Sequence, residues 1–229
     1  VTITNNQILF TPFDNLSSVS SFSDNFTFQV SDGNLTDNAT ITLTVQGSND
    51  RPVAYDNSSA GTVVEDSPGN ITLSATDIDI GDNLTYTLVS SPGYGNVTIT
   101  NNQILFTPFD NLSSGSSFSD NFTFQVSDGN LTDNATITLT VQGSNDRPVA
   151  YDNSSAGTVV EDSPGNITLS ATDIDIGDNL TYTLVSSPGY GNVTITNNQI
   201  LFTPFDNLSS VSSFSDNFTF QVSDGNLTD

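Results

Sequence analysis

The chain repeats itself every 96 residues, and this period constrains its fold more than any other feature. Val1–Gln7 recurs as Val97–Gln103 and again as Val193–Gln199. Aligned copies differ at one position, where Val19 and Val211 face Gly115. The 229 residues hold about 2.4 copies and start and stop in mid-copy. A period this long exceeds a solenoid turn and suits one small all-β domain. Near-identical copies point to a role in which copy number matters more than any single site, such as spacing or mechanical support. An enzyme seldom needs its site copied without change.

Within the period, strict alternation is the dominant local pattern. Ala135, Ile137, Leu139 and Val141 fall on one face of a strand, and Thr136, Thr138 and Thr140 fall on the other. Phe122, Phe124 and Val126 alternate in the same way, as do Ile71/Leu73/Ala75, Leu84/Tyr86/Leu88 and Val97/Ile99. With Gln103–Thr107 and the short Thr62–Val64, one copy holds about seven strands. Turn formers separate them: Ser67-Pro68-Gly69, Ser91-Pro92-Gly93 and Asp128-Gly129-Asn130. No segment carries a helical period. The expected fold is therefore all-β, a tandem of seven-stranded antiparallel sandwiches. Without cysteine or tryptophan, the immunoglobulin Cys–Trp–Cys signature is absent.

The linker Gln46-Gly47-Ser48-Asn49-Asp50-Arg51-Pro52 recurs at Gln142–Pro148. Its proline fixes φ and cannot extend a ladder, so the linker marks the domain boundary. It is short and has no Gly/Ser tract. Residues 1–51 then form the C-terminal half of a copy, and 52–147 a complete one. Residues 148–229 form a copy lacking the counterpart of Asn134–Val141. The expectation is a chain that continues at both ends, or strands shared between neighbours.

Charge excludes several function classes. Arg51 and Arg147 are the only basic side chains against 26 acids, a formal charge of −24. Nucleic-acid binding needs clustered Lys and Arg, and so does an anionic membrane surface. No apolar run approaches the ~18 residues of a membrane span. No signal peptide is visible, but the sequence opens inside a copy, so this says nothing about secretion.

The acids cluster. Asp77-Ile78-Asp79-Ile80-Gly81-Asp82-Asn83 recurs at Asp173–Asn179. Hard divalent cations such as calcium take six to eight oxygens from carboxylates, amides and carbonyls, and this Gly-hinged loop offers them on a short segment. Three carboxylates packed this closely repel one another without a cation. The alternative is a solvated turn on an acidic protein.

Asn145-Asp146-Arg147-Pro148, Glu161-Asp162-Ser163, Asp173-Ile174-Asp175 and Val222-Ser223-Asp224-Gly225 carry a resemblance. They make the whole repeat similar to the cadherin-like, immunoglobulin-like repeats of large bacterial and archaeal surface proteins, the tandem-95 repeats. The resemblance implies calcium between successive domains, bound by an early Glu, an Asn-Asp linker, an Asp-x-Asp loop and a later Asp. Carried over, the first junction uses Asn49, Asp50, Asp77, Asp79, Asn83 and Asp128. The second uses Glu65 from the upstream domain, Asn145 and Asp146 from the linker, and Asp173, Asp175, Asn179 and Asp224 downstream. The Leu-Asp-Arg-Glu motif of cadherins has no counterpart, which leaves Asp110 or Asp120 as a substitute. The implied affinity is weak, on the order of 10⁻⁴–10⁻³ M as in extracellular modules.

Asparagine is the last signal. Each copy has 11, and 8 begin an Asn-x-Ser/Thr triplet where chance would give about three. This pattern suggests N-glycosylation. The candidates are Asn15, Asn25, Asn34 and Asn38, then Asn57, Asn70, Asn96, Asn111, Asn121, Asn130 and Asn134, and finally Asn153, Asn166, Asn192, Asn207, Asn217 and Asn226. Asn179 also begins a triplet, but it cannot be both glycan anchor and calcium ligand. The bland reading is that strands built of alternating Asn and Thr make triplets incidentally. Yet an all-β array without Lys needs some protection of its edges, and glycans would supply it.

Together these readings describe a non-enzymatic structural repeat of an extracellular or cell-surface fibre or adhesin stalk. Its partners are neighbouring repeats of the same chain or filament, with N-glycans attached and no nucleic acid. A paired-carboxylate hydrolase needs no His or Lys, but every acid here sits in a repeated context with no unique pocket. A carbohydrate- or surface-binding module is the alternative, with Tyr94 and Tyr190 as its candidate aromatics. A filament built by strand donation is another.

Overall fold

A computed structural model describes residues 1–16, 20–209 and 212–229. Val19 and Val211, two of the three positions where the copies differ, lie outside the described residues. Two compact units account for the chain. The first comprises Val1–Gly61, Gly69–Phe106 and Ser119–Leu139; the second comprises Thr62–Pro68, Thr107–Phe118 and Thr140–Asp229. All regular structure among the described residues is strand and turn, as alternation predicts.

The first half-copy carries β1 (Thr2–Thr4), β2 (Gln7–Leu9), β3 (Ser21–Ser31) and β4 (Thr36–Gln46). The complete copy carries nine strands where the pattern suggests about seven: β5 (Val53–Tyr55), β6 (Thr62–Val64), β7 (Gly69–Thr72), β8 (Ser74–Thr76), β9 (Thr85–Ser90), β10 (Gly95–Thr100), β11 (Gln103–Pro108), β12 (Ser117–Ser127) and β13 (Thr132–Gln142). The last copy carries β14 (Val149–Tyr151), β15 (Gly165–Thr168), β16 (Ser170–Thr172), β17 (Thr181–Ser186), β18 (Gly191–Thr196), β19 (Gln199–Pro204) and β20 (Thr219–Ser223).

The extra strands arise because two segments change sheets. One of them runs through β7, which pairs antiparallel with β11, and then β8, which pairs antiparallel with β5. Leu73 is the corner: its side chain is buried and its N–H donates to the carbonyl of Asn102, one rung past the last β7–β11 pair. Leu169 does the same with Asn198. The other is the first strand of the copy, divided between β5 and β6. The second piece runs parallel to the end of β13, with Val63 opposite Val141. This parallel pair is a departure from the antiparallel expectation. The main sheet has the order β6-β13-β12-β9, and a second has β10-β11-β7.

Alternation places the core as expected. In the first unit, Phe122, Phe124 and Val126 of β12 and Ala135, Ile137 and Leu139 of β13 are buried with Ile104 and Phe106. Phe106 stacks on Phe122 with ring centres 6.4 Å apart. Burying each such ring is worth roughly 1.5–3 kcal/mol. In the second unit, Leu169, Ile200 and Phe202 form the core beneath Tyr182, Phe218 and Phe220. Strands β3 and β4 repeat the sequence of β12 and β13 and pair at all their positions, yet Phe26, Phe28, Ile41 and Leu43 stay only half-buried. Counterparts of β6 and β9 are not among residues 1–51.

Two-residue Asn-Asn turns close the β1–β2, β10–β11 and β18–β19 hairpins. Their first residues Asn5, Asn101 and Asn197 sit at φ of 53–55°, the left-handed region that asparagine tolerates and tight hairpins need.

Candidate metal centre

The linker is positioned by backbone contacts that its sequence dictates. Gly143 lies against the 112–113 loop so closely that a Cβ there would collide with the Ser113 carbonyl, and its N–H donates to Ser116 at 2.9 Å. Beside it, Glu65 is 2% exposed. One of its oxygens accepts from the Leu112 N–H at 3.0 Å and the other from the Ser144 N–H at 2.8 Å. Glu65 therefore has a structural duty at the linker, and each oxygen keeps a lone pair.

The Asp-x-Asp loop meets the linker from the downstream side. Asp175, 4% exposed, accepts the Asp146 N–H on Oδ2 at 2.8 Å. Its own N–H donates to Asp173 Oδ1 at 3.1 Å. The remaining oxygens, Asp175 Oδ1 and Asp173 Oδ2, are buried without a hydrogen-bond donor. The other linker repeats this in detail. Asp79 accepts the Asp50 N–H at 2.8 Å, and its own N–H donates to Asp77 Oδ1 at 3.0 Å. Asp79 Oδ1 and Asp77 Oδ2 are likewise buried and unpartnered. Buried polar atoms are nearly always paired, so two orphaned carboxylate oxygens at each linker fit a partner that donates a hydrogen bond or supplies positive charge.

Carboxylates converge around these orphans. Oxygens of Glu65, Asp146 and Asp175 lie within 4.8 Å of one another, as do those of Asp173, Asp178 and Asp224, and those of Asp77, Asp82 and Asp128. Their titration reflects the crowding. Desolvation, then the charges of Asp66, Asp175, Glu65 and Asp110, push Asp146 above the usual carboxylate range. Asp175 is also raised, chiefly by desolvation, although the Asp146 N–H opposes this. Asp82 is raised by desolvation and then by Asp79, Asp77 and Asp128. Asp224 is lowered: desolvation works against it, but the N–H groups of Asn226 and Leu227 and the Asn145 amide outweigh that cost. An oxygen-only donor set of this density suits a hard cation such as calcium.

Most acids chosen from the sequence thus come together: Glu65, Asp146, Asp173, Asp175 and Asp224 in the second unit, and Asp77, Asp79 and Asp128 in the first, where exposed Asp50 contributes its N–H. Asp82 and Asp178, members of the same acidic loops, join them in place of Asn83 and Asn179, which the resemblance implies as ligands. Asn83 and Asn179 are exposed. Asn49 and Asn145 are half-buried and committed to hydrogen bonds, with their Nδ2 on Asp128 at 2.9 Å and on Asp224 at 2.8 Å. Asp110 lines a cavity of about 610 Å³ with Asp146, Asp173 and Arg147. Asp120, the other substitute, is buried elsewhere and caps the Gly93 and Tyr94 N–H groups, both at 2.8 Å.

The family model for the bacterial Ig domain matches residues 49–140 and again residues 145–229. This chain belongs to the bacterial Ig domain family. It is a tandem array of Ig-like repeats, as the period and the alternation imply. No curated protein matches it. Among solved structures, protocadherin Gamma B2 extracellular cadherin domains 1-5 align at 19% identity and a TM-score of 0.46, covering 91% of this chain and 43% of that one. Drosophila N-cadherin EC1-4 aligns at 16% and 0.36, covering 91% and 56%. An endo-fucoidan hydrolase of glycoside hydrolase family 107 aligns at 23% and 0.39, covering 90% and 32%. The bacterial Ig array thus spans between a third and just over half the length of these chains, and likeness of this order carries no information about activity.

On the bacterial Ig array eight of the seventeen triplet asparagines lie within strands and the other nine outside them. Asn15 and Asn57 are half-buried and the other fifteen candidates are exposed. The Ser17 that completes the Asn15 triplet lies outside the described residues. Tyr190 packs on Phe214 with ring centres 4.7 Å apart, and its N–H donates to Asp216. Tyr94 is half-buried. Among the described residues no helix is long and apolar enough to cross a membrane.

Proposed function

We propose that this bacterial Ig array is a structural segment of an extracellular or cell-surface fibre or adhesin stalk, stiffened by calcium at its linkers. Its repeating units are residues 1–51, 52–147 and 148–229. The observation that carries the reading is the pair of buried, donorless carboxylate oxygens at each linker, in the same place in two successive junctions. Histidine and cysteine are absent from the chain, so softer metals find no preferred ligand. Glu65, Asp146, Asp173, Asp175, Asp178 and Asp224 would hold the ion at one junction. Asp50, Asp77, Asp79, Asp82 and Asp128 would hold it at the other.

The mechanism is linkage. The linker supplies Asp146 and its N–H, and the following loop supplies Asp175, so a cation binds fully only while the two are docked. Its binding free energy then favours the docked arrangement. The exposed asparagine triplets support a further element, a coat of N-linked carbohydrate over strands that carry no lysine at their edges. A mass excess at glycopeptides from secreted material would support the coat, and unmodified peptides throughout would remove it.

Isothermal titration of the calcium-free chain tests the metal. Saturable binding with a dissociation constant on the order of 10⁻⁴–10⁻³ M is expected. Absence of binding up to several millimolar calcium, with terbium also inert, would sink the reading.

A further inference from the structure

We propose that Asn130 and Asn226 fasten the linker to the Asp-Gly-Asn turn, and do so without a metal ion. Asn226 Nδ2 donates to Asn145 Oδ1 at 3.2 Å. Asn145 in turn donates from Nδ2 to Asp224 Oδ2 at 2.8 Å and to the Asp146 carbonyl at 2.9 Å. Asp224 Oδ1 accepts the N–H groups of Asn226 and Leu227, which returns the network to its starting residue. The loop of bonds runs from turn to linker and back. In the first unit the same loop joins Asn130, Asn49 and Asp128, at 3.2 Å from Asn130 to Asn49 and 2.9 Å from Asn49 to Asp128.

The chemistry demands an amide at both asparagine positions. At 145 the side chain must donate to a carboxylate and accept from an amide at once, and a carboxylate there would face Asp224. At 226 only a donor satisfies the Asn145 oxygen. This fastening holds Asp224 and Asp146 in place before any cation arrives, so it stands whether or not the calcium reading does. It also sets these positions apart from the other triplets. Asn226-Leu227-Thr228 and Asn130-Leu131-Thr132 have the acceptor pattern, but Nδ2 is the atom a sugar takes. A glycan there would remove one of its two N–H groups and set a sugar ring against the linker. Fastening and glycosylation therefore compete for one nitrogen at Asn130 and Asn226, whereas exposed Asn192 on β18 is under no such restriction.

Amide hydrogen exchange by NMR on the 229-residue chain in chelator tests this. The reporter is the Asp146 N–H, which bonds to Asp175. In Asn226→Ala, and in the near-isosteric but donorless Asn226→Asp, exchange at Asp146 should rise about tenfold. The Asn226 and Leu227 amides should keep their rates, and Asn192→Ala should change nothing. Asn130→Ala should act alike on Asp50, and Asn226→Gln, which keeps the amide, should recover part of the protection. Unchanged exchange at Asp146 in both donorless variants would overturn the proposal. So would an equal rise across the whole turn in all three Asn226 variants, since backbone distortion and not the amide would then be the cause. Calcium plays no part in the measurement, so its outcome is separate from that of the titration.

Discussion

Asp79 and Asp175 each give one oxygen to a linker N–H and leave the other buried without a donor. Such an atom costs stability unless a hydrogen-bond donor or a cation sits beside it. Burial raises the Asp175 carboxyl above its ordinary range, so the ionised form is penalised in the folded, metal-free protein at neutral pH. Asp175→Asn keeps an oxygen for the Asp146 N–H and removes the charge. The expected outcome has opposite signs in two conditions: in chelator the melting temperature holds or rises, and calcium affinity at that junction falls at least about tenfold. Scanning calorimetry and titration check both, and a lower melting temperature in chelator would contradict the metal account. The acids themselves are legible because the Asp-x-Asp loop recurs and the cadherin-like resemblance adds the Asn-Asp linker to it. The choice between Asp82 and Asn83, or Asp178 and Asn179, is not, since adjacent residues in a turn differ in direction and spacing does not record it. Nor is the duty of Asn145, whose partner Asn226 lies 81 positions away.

At the scale of elements, alternation discloses which side chains are buried but not which sheet receives them. Ile71 and Leu73 read as one continuous strand with Ala75, yet Leu73 turns the chain from the β11 partner to the β5 partner. Its N–H still bonds to Asn102 on the β11 side, a long-range contact that no local pattern carries. The Pro-Gly-Tyr-Gly turn has a similar dependence. Its Gly93 and Tyr94 N–H groups end on Asp120, which is 5% exposed and on another strand. Asp120→Ala would leave both donors unsatisfied and should cost roughly 3 kcal/mol. Urea unfolding measures this, and a loss below about 1 kcal/mol would mean that water reaches the turn. The same sequence makes β3–β4 and β12–β13, yet only the latter buries its aromatics. Burial here follows from the strands alongside and not from the hairpin's own residues.

For the whole molecule, the 96-residue period and the family match at 49–140 and 145–229 agree on a tandem of Ig-like domains. Near-identity between copies means that the linker chemistry at 46–52 recurs at 142–148, so the proposed cation affinity would act at both. Stiffness would then follow the calcium concentration around the cell. The most direct test of this claim is small-angle scattering on the 229-residue chain, first in millimolar calcium and then in chelator. Calcium-stiffened linkers give the profile of a stiff particle in calcium and of a flexible one in chelator, reversible on adding calcium back. Superimposable profiles in the two conditions would contradict it.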